Sequence, residues 1–357
     1  FDIVVAKTFR PDDDGAPGFY LRGLLDNYRQ ELDKEGSKYA GLDNTMLLRI
    51  LAVLVRDSIP NTGVHNITDR YLNALRTEHL QAVWEDGKIA IRKVFDFLQN
   101  HLRLPGPALV PYGYFYMTLA SYFFRNTAPD YDLLRRYFWY FSFHDKDLLS
   151  NTTHLRDHIR RFQETRVGED FGFERFLIDK DQLRRITYSS RGRLSRAMFA
   201  LFANQDPRDW TFPERSVLTD VYYMLTDHPN LHHIFPLDFC EKHLDERERR
   251  YANSLLNIAY LTQITNLHIS NKNPLDYLQD YVGPRFSDIQ RTHFLPDLLV
   301  EWVDAKDMTE DALNLFVDAR LELVLMQLRE YLSGIPFEVI DTRSAAASDG
   351  DQDERGR

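Results

Sequence analysis

Cysteine is almost missing from this chain, which has 357 residues and a single thiol at Cys240. One cysteine excludes a disulfide framework within the chain, and it excludes a four-cysteine zinc site. Any small unit of the protein must therefore be held together by packing rather than by a zinc ribbon. The same scarcity is typical of the reducing cytoplasm, where we expect the protein to reside.

Long apolar runs and a glycine-rich phosphate loop are missing as well. No stretch reaches the roughly 18 consecutive apolar residues of a membrane span, and no signal peptide opens the sequence. We therefore expect no membrane partner. Because no phosphate-binding loop of the P-loop pattern occurs, these residues predict no nucleotide-hydrolysing site of their own.

Positive charge is in short supply, since the net charge is −10. This balance argues against binding DNA through a broadly basic surface. The run RRITYSSRGRLSR at 184–196 nevertheless carries five arginines and no acidic residue. Two interpretations stay open: a phosphate-binding segment that uses Arg184, Arg185, Arg191 and Arg193, or a solvated loop before the helical stretch LSRAMFALFA.

Residues 1–165 show apolar positions at helical spacing, which predicts a mainly α protein with a helical bundle-like body. The segments with this spacing are TMLLRILAVLVRDSI, KIAIRKVFDFLQNHL, YGYFYMTLASYFF, LLRRYFWYFSF and HLRDHIRRFQE. The many aromatic residues, 24 Phe and 19 Tyr, mostly follow the same spacing. They are therefore predicted to pack in a core rather than to stack on nucleic-acid bases.

A connection punctuated by Gly and Asp follows, and it separates residues 1–165 from a second module at 166–335. Near the end of this module, TEDALNLFVDARLELVLMQLREYLSG predicts a long amphipathic helix that begins at the N-cap Thr309 and stops at Gly334. The remaining residues 336–357 are predicted to form a disordered tail, because they offer little to bury and end in a charged stretch.

Histidine and asparagine recur in a fixed order within the second module. His232 and His233 precede Ile-Phe-Pro, Asn257 opens the apolar segment NIAYL, and Asn266 is followed by Asn271-Lys272. LHHIFP is predicted to be a short strand ended by proline, and NIAYL its antiparallel partner. The stretch ITNLHISNK is then predicted to enter a helix.

This segment resembles the HNH, or His-Me finger, nuclease domain at the C-terminal end of GmrSD-type modification-dependent restriction endonucleases. A phosphorothioation-sensing relative in phage defence, the SspE type, has the same layout. The resemblance implies a small ββα-metal unit at about residues 228–282. It also implies a metal-dependent endonuclease that nicks or cleaves DNA as the effector half of an antiviral restriction enzyme.

The resemblance extends to the start of the chain, which enters directly into FDIVVAKTF from Phe1. In the resembled family, a segment similar to FDIVVAKTF, followed by an element such as GFYLR at 18–22, comes just after an N-terminal domain that hydrolyses nucleotides. We therefore expect this chain to be a fragment whose partner is its own missing NTPase and modification-sensing domain.

The resemblance assigns roles residue by residue. His233 matches the general base, and the ordinary pKa of histidine, about 6.5, leaves it largely neutral at physiological pH. Asn257 matches the asparagine that holds the base in orientation. His232, which stands where many HNH enzymes have Asp, and Asn266 match the metal ligands.

The expected cofactor is a divalent ion, Mg²⁺ or Mn²⁺. The departure at His232 makes Mn²⁺, Ni²⁺ or Co²⁺ better suited than Mg²⁺, which prefers oxygen ligands. Lys272 and His268 are expected to contact DNA phosphates beside the arginines of 184–196.

A second interpretation of the whole chain stays open. It is a non-catalytic helical module whose HNH unit has decayed and which binds only nucleic acid or a protein partner. The histidine at position 232 favours this alternative, because it replaces the usual acidic ligand. The two interpretations differ in whether the protein binds a divalent ion tightly.

Overall fold

A computed structural model describes residues 1–8, 18–58, 67–165, 168–218 and 230–343 of the chain. It has 59% helix and 5% strand, which confirms the predicted mainly α class. Within these described ranges, no helix combines the length and the apolar character needed to cross a membrane. The chain divides into two compact units, here the first unit (Phe1–Ser142 and Lys146–Phe173) and the second unit (Phe143–Asp145 and Glu174–Arg357).

The first unit is built from helices, and its limit at Phe173 lies shortly after the boundary predicted at residue 165. A π-helical turn at Phe97–His101 extends the helix Thr77–Asp96, and a short 3₁₀ turn follows at Pro107–Leu109. The helices are α1 (Asp2–Thr8), α2 (Leu21–Lys34), α3 (Asn44–Ser58), α4 (Asp69–Ala74), α5 (Thr77–Asp96), α6 (Tyr114–Arg125), α7 (Tyr131–Phe143) and α8 (Thr152–Glu164).

Aromatic side chains fill the interior of the first unit. Tyr137 on α7 lies within 4.7 to 5.6 Å, between ring centres, of Phe141, His158, Phe162 and Phe171. These rings are buried, so the prediction that the aromatic residues of the helical segments pack in a core is confirmed for this cluster.

The described part of the second unit combines helices with four short strands. A 3₁₀ turn at Leu255–Asn257 leads directly into the third strand. The elements are β1 (Phe176–Asp179), α9 (Lys180–Arg185), α10 (Arg193–Asn204), β2 (Asn230–His233), α11 (Leu237–His243), β3 (Ile258–Leu261), α12 (Gln263–Ile269), α13 (Pro274–Leu278), α14 (Phe286–His293), α15 (Leu298–Ala305), α16 (Ala312–Tyr331) and β4 (Phe337–Ile340).

The strands form two separate pairs. β1 pairs with β4 in parallel, and β2 pairs with β3 in antiparallel orientation. The first pair corrects the prediction that the tail is disordered from residue 336, because Phe337–Ile340 forms a strand there. Strand β4 is hydrogen-bonded to β1 along one edge, a pairing that the composition of the tail alone does not reveal. Residues 344–357 lie outside the described residues.

The long helix predicted near the end of the second module is present as α16, but its predicted start at Thr309 is wrong. Asp311 adopts the left-handed backbone region, with φ +62°, and the helix begins only at Ala312. The side chain of Asn314 donates to the Arg247 carbonyl at 3.2 Å, which ties the first turn to a distant loop. The predicted stop, Gly334, follows the helix at φ +84°.

Candidate functional site

The two histidines of the motif end strand β2. His232 is opposite Ala259 and His233 is opposite Ile258 in the antiparallel pair with β3. The pairing continues one step further, because the Ile234 N–H donates to the Asn257 carbonyl at 2.8 Å. The strand and its partner therefore occur where LHHIFP and NIAYL predict them.

Asn257 is the most completely enclosed residue of the motif, with 0% of its surface exposed. Its Oδ1 accepts a hydrogen bond from the Phe235 N–H at 2.8 Å. Its Nδ2 donates to the Phe235 carbonyl at 3.0 Å and to the Ala252 carbonyl at 2.8 Å. The amide thus satisfies both main-chain groups of Phe235, two residues after His233, and fixes the chain as it leaves β2.

Tyr277 on α13 holds the same turn from another side. Its hydroxyl donates to the carbonyl of Ile234, and the ring is fully buried. Burial raises the pKa of the Tyr277 hydroxyl far above its usual value, so the group stays a neutral hydrogen-bond donor. The main chain between His233 and Pro236 is therefore restrained by an asparagine and a tyrosine together.

Burial also tunes the two histidines. It lowers the pKa of His232 to about 4, with a smaller contribution in the same direction from His233. Burial lowers the pKa of His233 below its usual value as well. Both rings are therefore neutral at physiological pH, which is the form that accepts a proton or binds a metal.

The ring nitrogen Nε2 of His232 is buried and has no hydrogen-bond partner in the described part of the chain. A buried polar atom without a partner is costly, and such atoms in native proteins commonly face a water or an ion that completes them. A divalent cation fits this nitrogen, because neutral imidazole is a common metal ligand.

Helix α12 follows β3 after a single residue. Thr262 is its N-cap, and the Thr262 hydroxyl accepts from the Thr265 N–H at 3.3 Å. Asn266 lies in the middle of this helix, half-buried, and its side-chain amide makes no hydrogen bond with any described residue. The side-chain carbonyl oxygen of Asn266 is therefore available as a ligand.

Metal-ligating residues of the usual kinds do not gather in the described part of the chain. Across the described ranges, no group of three or more His, Cys, Asp or Glu side chains could hold a metal ion. That His232 and Asn266 together bind a metal, with water or a substrate phosphate in the remaining ligand positions, stays a prediction.

The expected phosphate contacts near α12 differ in their surroundings. Lys272 is exposed just beyond the helix. His268 is also exposed, but its Nε2 lies 2.9 Å from Asp280 Oδ2. The neighbouring carboxylate competes with a phosphate for His268, whereas Lys272 has no such partner among the described residues.

The arginine run does not act as one surface. Arg184 is only 3% exposed, and its guanidinium binds the carboxylates of Asp318 and Asp341. We therefore withdraw Arg184 from the expected phosphate contacts, because its charge is already neutralised inside the protein. Arg185 is exposed and bonds Asp181 at 2.6 Å.

The other two arginines assigned to phosphate lie just before and at the start of α10. Arg191 is exposed, and Arg193 is half-buried as the first residue of that helix. The expectation that both contact phosphate stays a prediction.

Sequence reasoning missed Arg320, a fully buried residue of α16. Its Nη1 donates to the carbonyls of Leu256 at 2.7 Å and Ile258 at 2.8 Å, the two neighbours of Asn257. The available signal was an arginine four residues after Phe316 on the apolar face of an amphipathic helix, where a charged side chain is rare.

Comparison with known proteins does not assign a function to these residues. No model of a protein family matches the chain, and no solved structure matches it. A relative from Methanocaldococcus jannaschii, described as the uncharacterized protein MJ0686, is 22% identical over 250 residues. The match covers 62% of this chain and 41% of the relative, so the chain spans less than half of that protein.

Proposed function

We propose that this chain is the nuclease part of a metal-dependent DNA endonuclease of the HNH, or His-Me finger, type. The observation that carries the proposal is Asn257. A fully buried side chain bonds both main-chain groups of Phe235 and so holds the turn directly after His233. This is the role that the resemblance gives to the strut asparagine, and the buried amide has the hydrogen bonds that its burial requires.

Two further observations support the same proposal. Strand β2, helix α11, strand β3 and helix α12 follow one another, with the paired histidines on β2 and Asn266 on α12. The buried Nε2 of His232 has no partner among the described residues, which suits a metal ligand. A divalent ion at His232 and Asn266 would supply charge neutralisation for the scissile phosphate.

His233 is the proposed general base. In its neutral form it takes a proton from a water molecule, whose oxygen attacks phosphorus as the bond to the leaving sugar oxygen breaks. Asn257 acts indirectly, because it orients the main chain that carries His233. Lys272 offers its positive charge to the phosphate backbone. That the substrate is DNA rather than RNA follows from the family resemblance alone.

The deciding experiment incubates supercoiled plasmid with the protein and Mg²⁺, Mn²⁺, Co²⁺ or Ni²⁺ in turn. We expect nicking or linearisation, and we expect His233→Ala to lower its rate by about 10² to 10⁴ fold, the usual contribution of a general base. His243→Ala is the matched control, because His243 is exposed at the end of α11 and has no assigned role.

The measurement also decides between nuclease and decayed module. Titration for a bound divalent ion is run beside the cleavage assay, on the same preparation. A protein that binds no ion and cuts with none of the four metals would favour the non-catalytic module. Cleavage that persists unchanged in His233→Ala would show that the assigned base is wrong.

The pH profile adds an independent check. Since the pKa of His233 is lowered by burial, the base stays unprotonated below the usual value of about 6.5. We therefore expect the acid limb of the cleavage rate to fall at a pH below that value. An acid limb at a higher pH would contradict the burial of the base.

A further inference from the structure

Arg320 is a buried cation that bonds only main-chain oxygens. It is 1% exposed, and its Nη1 binds the Leu256 and Ile258 carbonyls. Its Nε and Nη2 donate to the His293 carbonyl at 3.1 and 2.8 Å. Within the described part of the chain, it forms no ion pair with a carboxylate.

The surroundings make this charge tolerable. His293 is the last residue of α14, and the carbonyls at a helix C-terminus carry partial negative charge. The rings of Phe202 and Phe316 lie 4.8 and 5.9 Å from the guanidinium carbon, within the range of cation–π attraction. An apolar side chain would still avoid the cost of burying a charge. The role of Arg320 therefore depends on the main-chain segments that its hydrogen bonds restrain.

What they hold is the main chain on both sides of Asn257. The Leu256 and Ile258 carbonyls belong to the residues directly before and after it, and one nitrogen of Arg320 bonds both. This segment changes from a 3₁₀ turn to strand β3 at that point, so no single regular element sets its path. Arg320 supplies the fixed reference that a regular element would otherwise provide.

Asn257 passes this restraint to the other strand. Its carbonyl accepts from the Ile234 N–H, and its side chain bonds both main-chain groups of Phe235. Ile234 is the residue directly after His233. A continuous path of hydrogen bonds and covalent bonds thus leads from α16 to the end of β2.

We propose that Arg320 is a positioning residue of the candidate nuclease site, which fixes the main chain of Asn257 and thereby the orientation of the His233 ring. The inference rests on the nuclease function proposed above. Arg320 is enclosed beneath the site and acts through Asn257, so it is not itself a catalytic residue.

The test uses Arg320→Lys with Arg184→Lys as a matched control. Lysine keeps the charge, but its single nitrogen does not reproduce the planar fork that serves three carbonyls. Arg184 is likewise a buried arginine that bonds a residue of α16, Asp318, but it makes no bond to the main chain beside Asn257. The two variants therefore share the loss of a buried guanidinium and differ in what that guanidinium held.

Four quantities are measured at a temperature where melting curves show each variant to be folded. They are the NMR signals and pKa of His233, assigned by comparison with His233→Ala, and kcat and KM for plasmid nicking with Mn²⁺. We expect Arg320→Lys to shift the His233 signals and to lower kcat by about tenfold or more, the usual loss when a supporting residue is removed. KM for DNA should stay unchanged, because Arg320 lies beneath the surface. Arg184→Lys should change none of these.

Unchanged His233 signals in folded Arg320→Lys would overturn the proposal, as would equal shifts in both variants. Should the lysine variant unfold, Arg320→Gln takes its place, since it is neutral and keeps two N–H donors. Failure of the proposed nuclease function gives a different result. The unsubstituted protein then fails to cleave plasmid with any of the metals, while the NMR comparison still reports whether Arg320 orients His233.

Discussion

In the first unit, the buried His158 lies among aromatic rings, and its Nδ1 is 2.8 Å from the hydroxyl oxygen of Tyr137. In the second unit, the buried Asn257, Arg320 and His293 bond main-chain atoms. A ring cluster sets the distance between helices whose own hydrogen bonds are already made. Side chains that bond the main chain fix turns and the ends of elements, as Asn257 does at Phe235, two residues after His233.

The largest effect on both units is expected from lowering the pH, because each unit contains a buried neutral histidine. Burial lowers the pKa of His158 to about 3, with smaller contributions from Arg161 and His154, and burial lowers that of His293 to about 3. The unfolded chain binds a proton near pH 6.5, whereas the folded chain does not. The free energy of unfolding therefore falls as pH drops from about 6.5 towards 3, by several kcal/mol at about 1.4 kcal/mol for each pKa unit.

Chemical denaturation at a series of pH values measures this loss. The variant His158→Phe keeps a ring in the cluster and removes one titrating group, so hydrogen exchange should report a flatter pH dependence in the first unit only. Equal pH dependence in the variant and the unsubstituted protein would show that His158 is not held neutral.

Asn257→Ala should give the next largest effect, confined to the second unit. The change leaves the N–H and carbonyl of Phe235 and the carbonyl of Ala252 without their partner. Each buried group left unsatisfied costs about 1–3 kcal/mol, so we expect a loss of roughly 3 kcal/mol or more. Denaturant unfolding measures it, and hydrogen exchange should show faster opening around β2. A loss under about 1 kcal/mol would mean that water replaces the amide.

Tyr137→Phe is the counterpart in the first unit, with a smaller expected effect. It removes a hydroxyl that lies 2.8 Å from His158 Nδ1 and 3.0 Å from Thr118 Oγ1, but it preserves the ring contacts. We expect a loss of about 1–3 kcal/mol, since polar atoms are left unpartnered but no main-chain path changes. The rate of plasmid cleavage for each folded molecule should stay the same.

The smallest effect is expected from Arg185→Ala on the surface of the second unit. The ion pair of the exposed Arg185 with the less exposed Asp181 contributes little to stability, because solvent screens it. If the arginine contacts DNA phosphate, its loss should instead weaken binding and reduce the salt dependence of the affinity. Binding measured at several salt concentrations separates the two roles, and an unchanged salt slope would assign Arg185 to folding alone.

The helices and the order of the motif could be predicted from sequence, because both depend on neighbours along the chain. Apolar spacing located α3, α7 and α8, and Asn257 marked the start of β3, whereas β2 ends at His233, three residues before the predicted stop at Pro236. Such patterns are local, so the residues that carry them lie within one or two turns of each other.

What the sequence did not reveal depends on distant partners. Arg184 was assigned to a basic surface, since the carboxylates that neutralise it are 134 and 157 residues away. Strand β4 was missed because it has only four residues, and its pairing partner lies at 176–179. Arg320 was missed because its acceptors are main-chain carbonyls. Every residue has such a carbonyl, so the sequence does not show which ones accept a hydrogen bond.

The parallel pair of β1 and β4 joins the beginning of the second unit to its last described strand. Phe176 lies opposite Phe337, and Asp179 lies opposite Ile340. A protein shortened after residue 335 therefore loses a strand and also Asp341, one of the two carboxylates that neutralise Arg184.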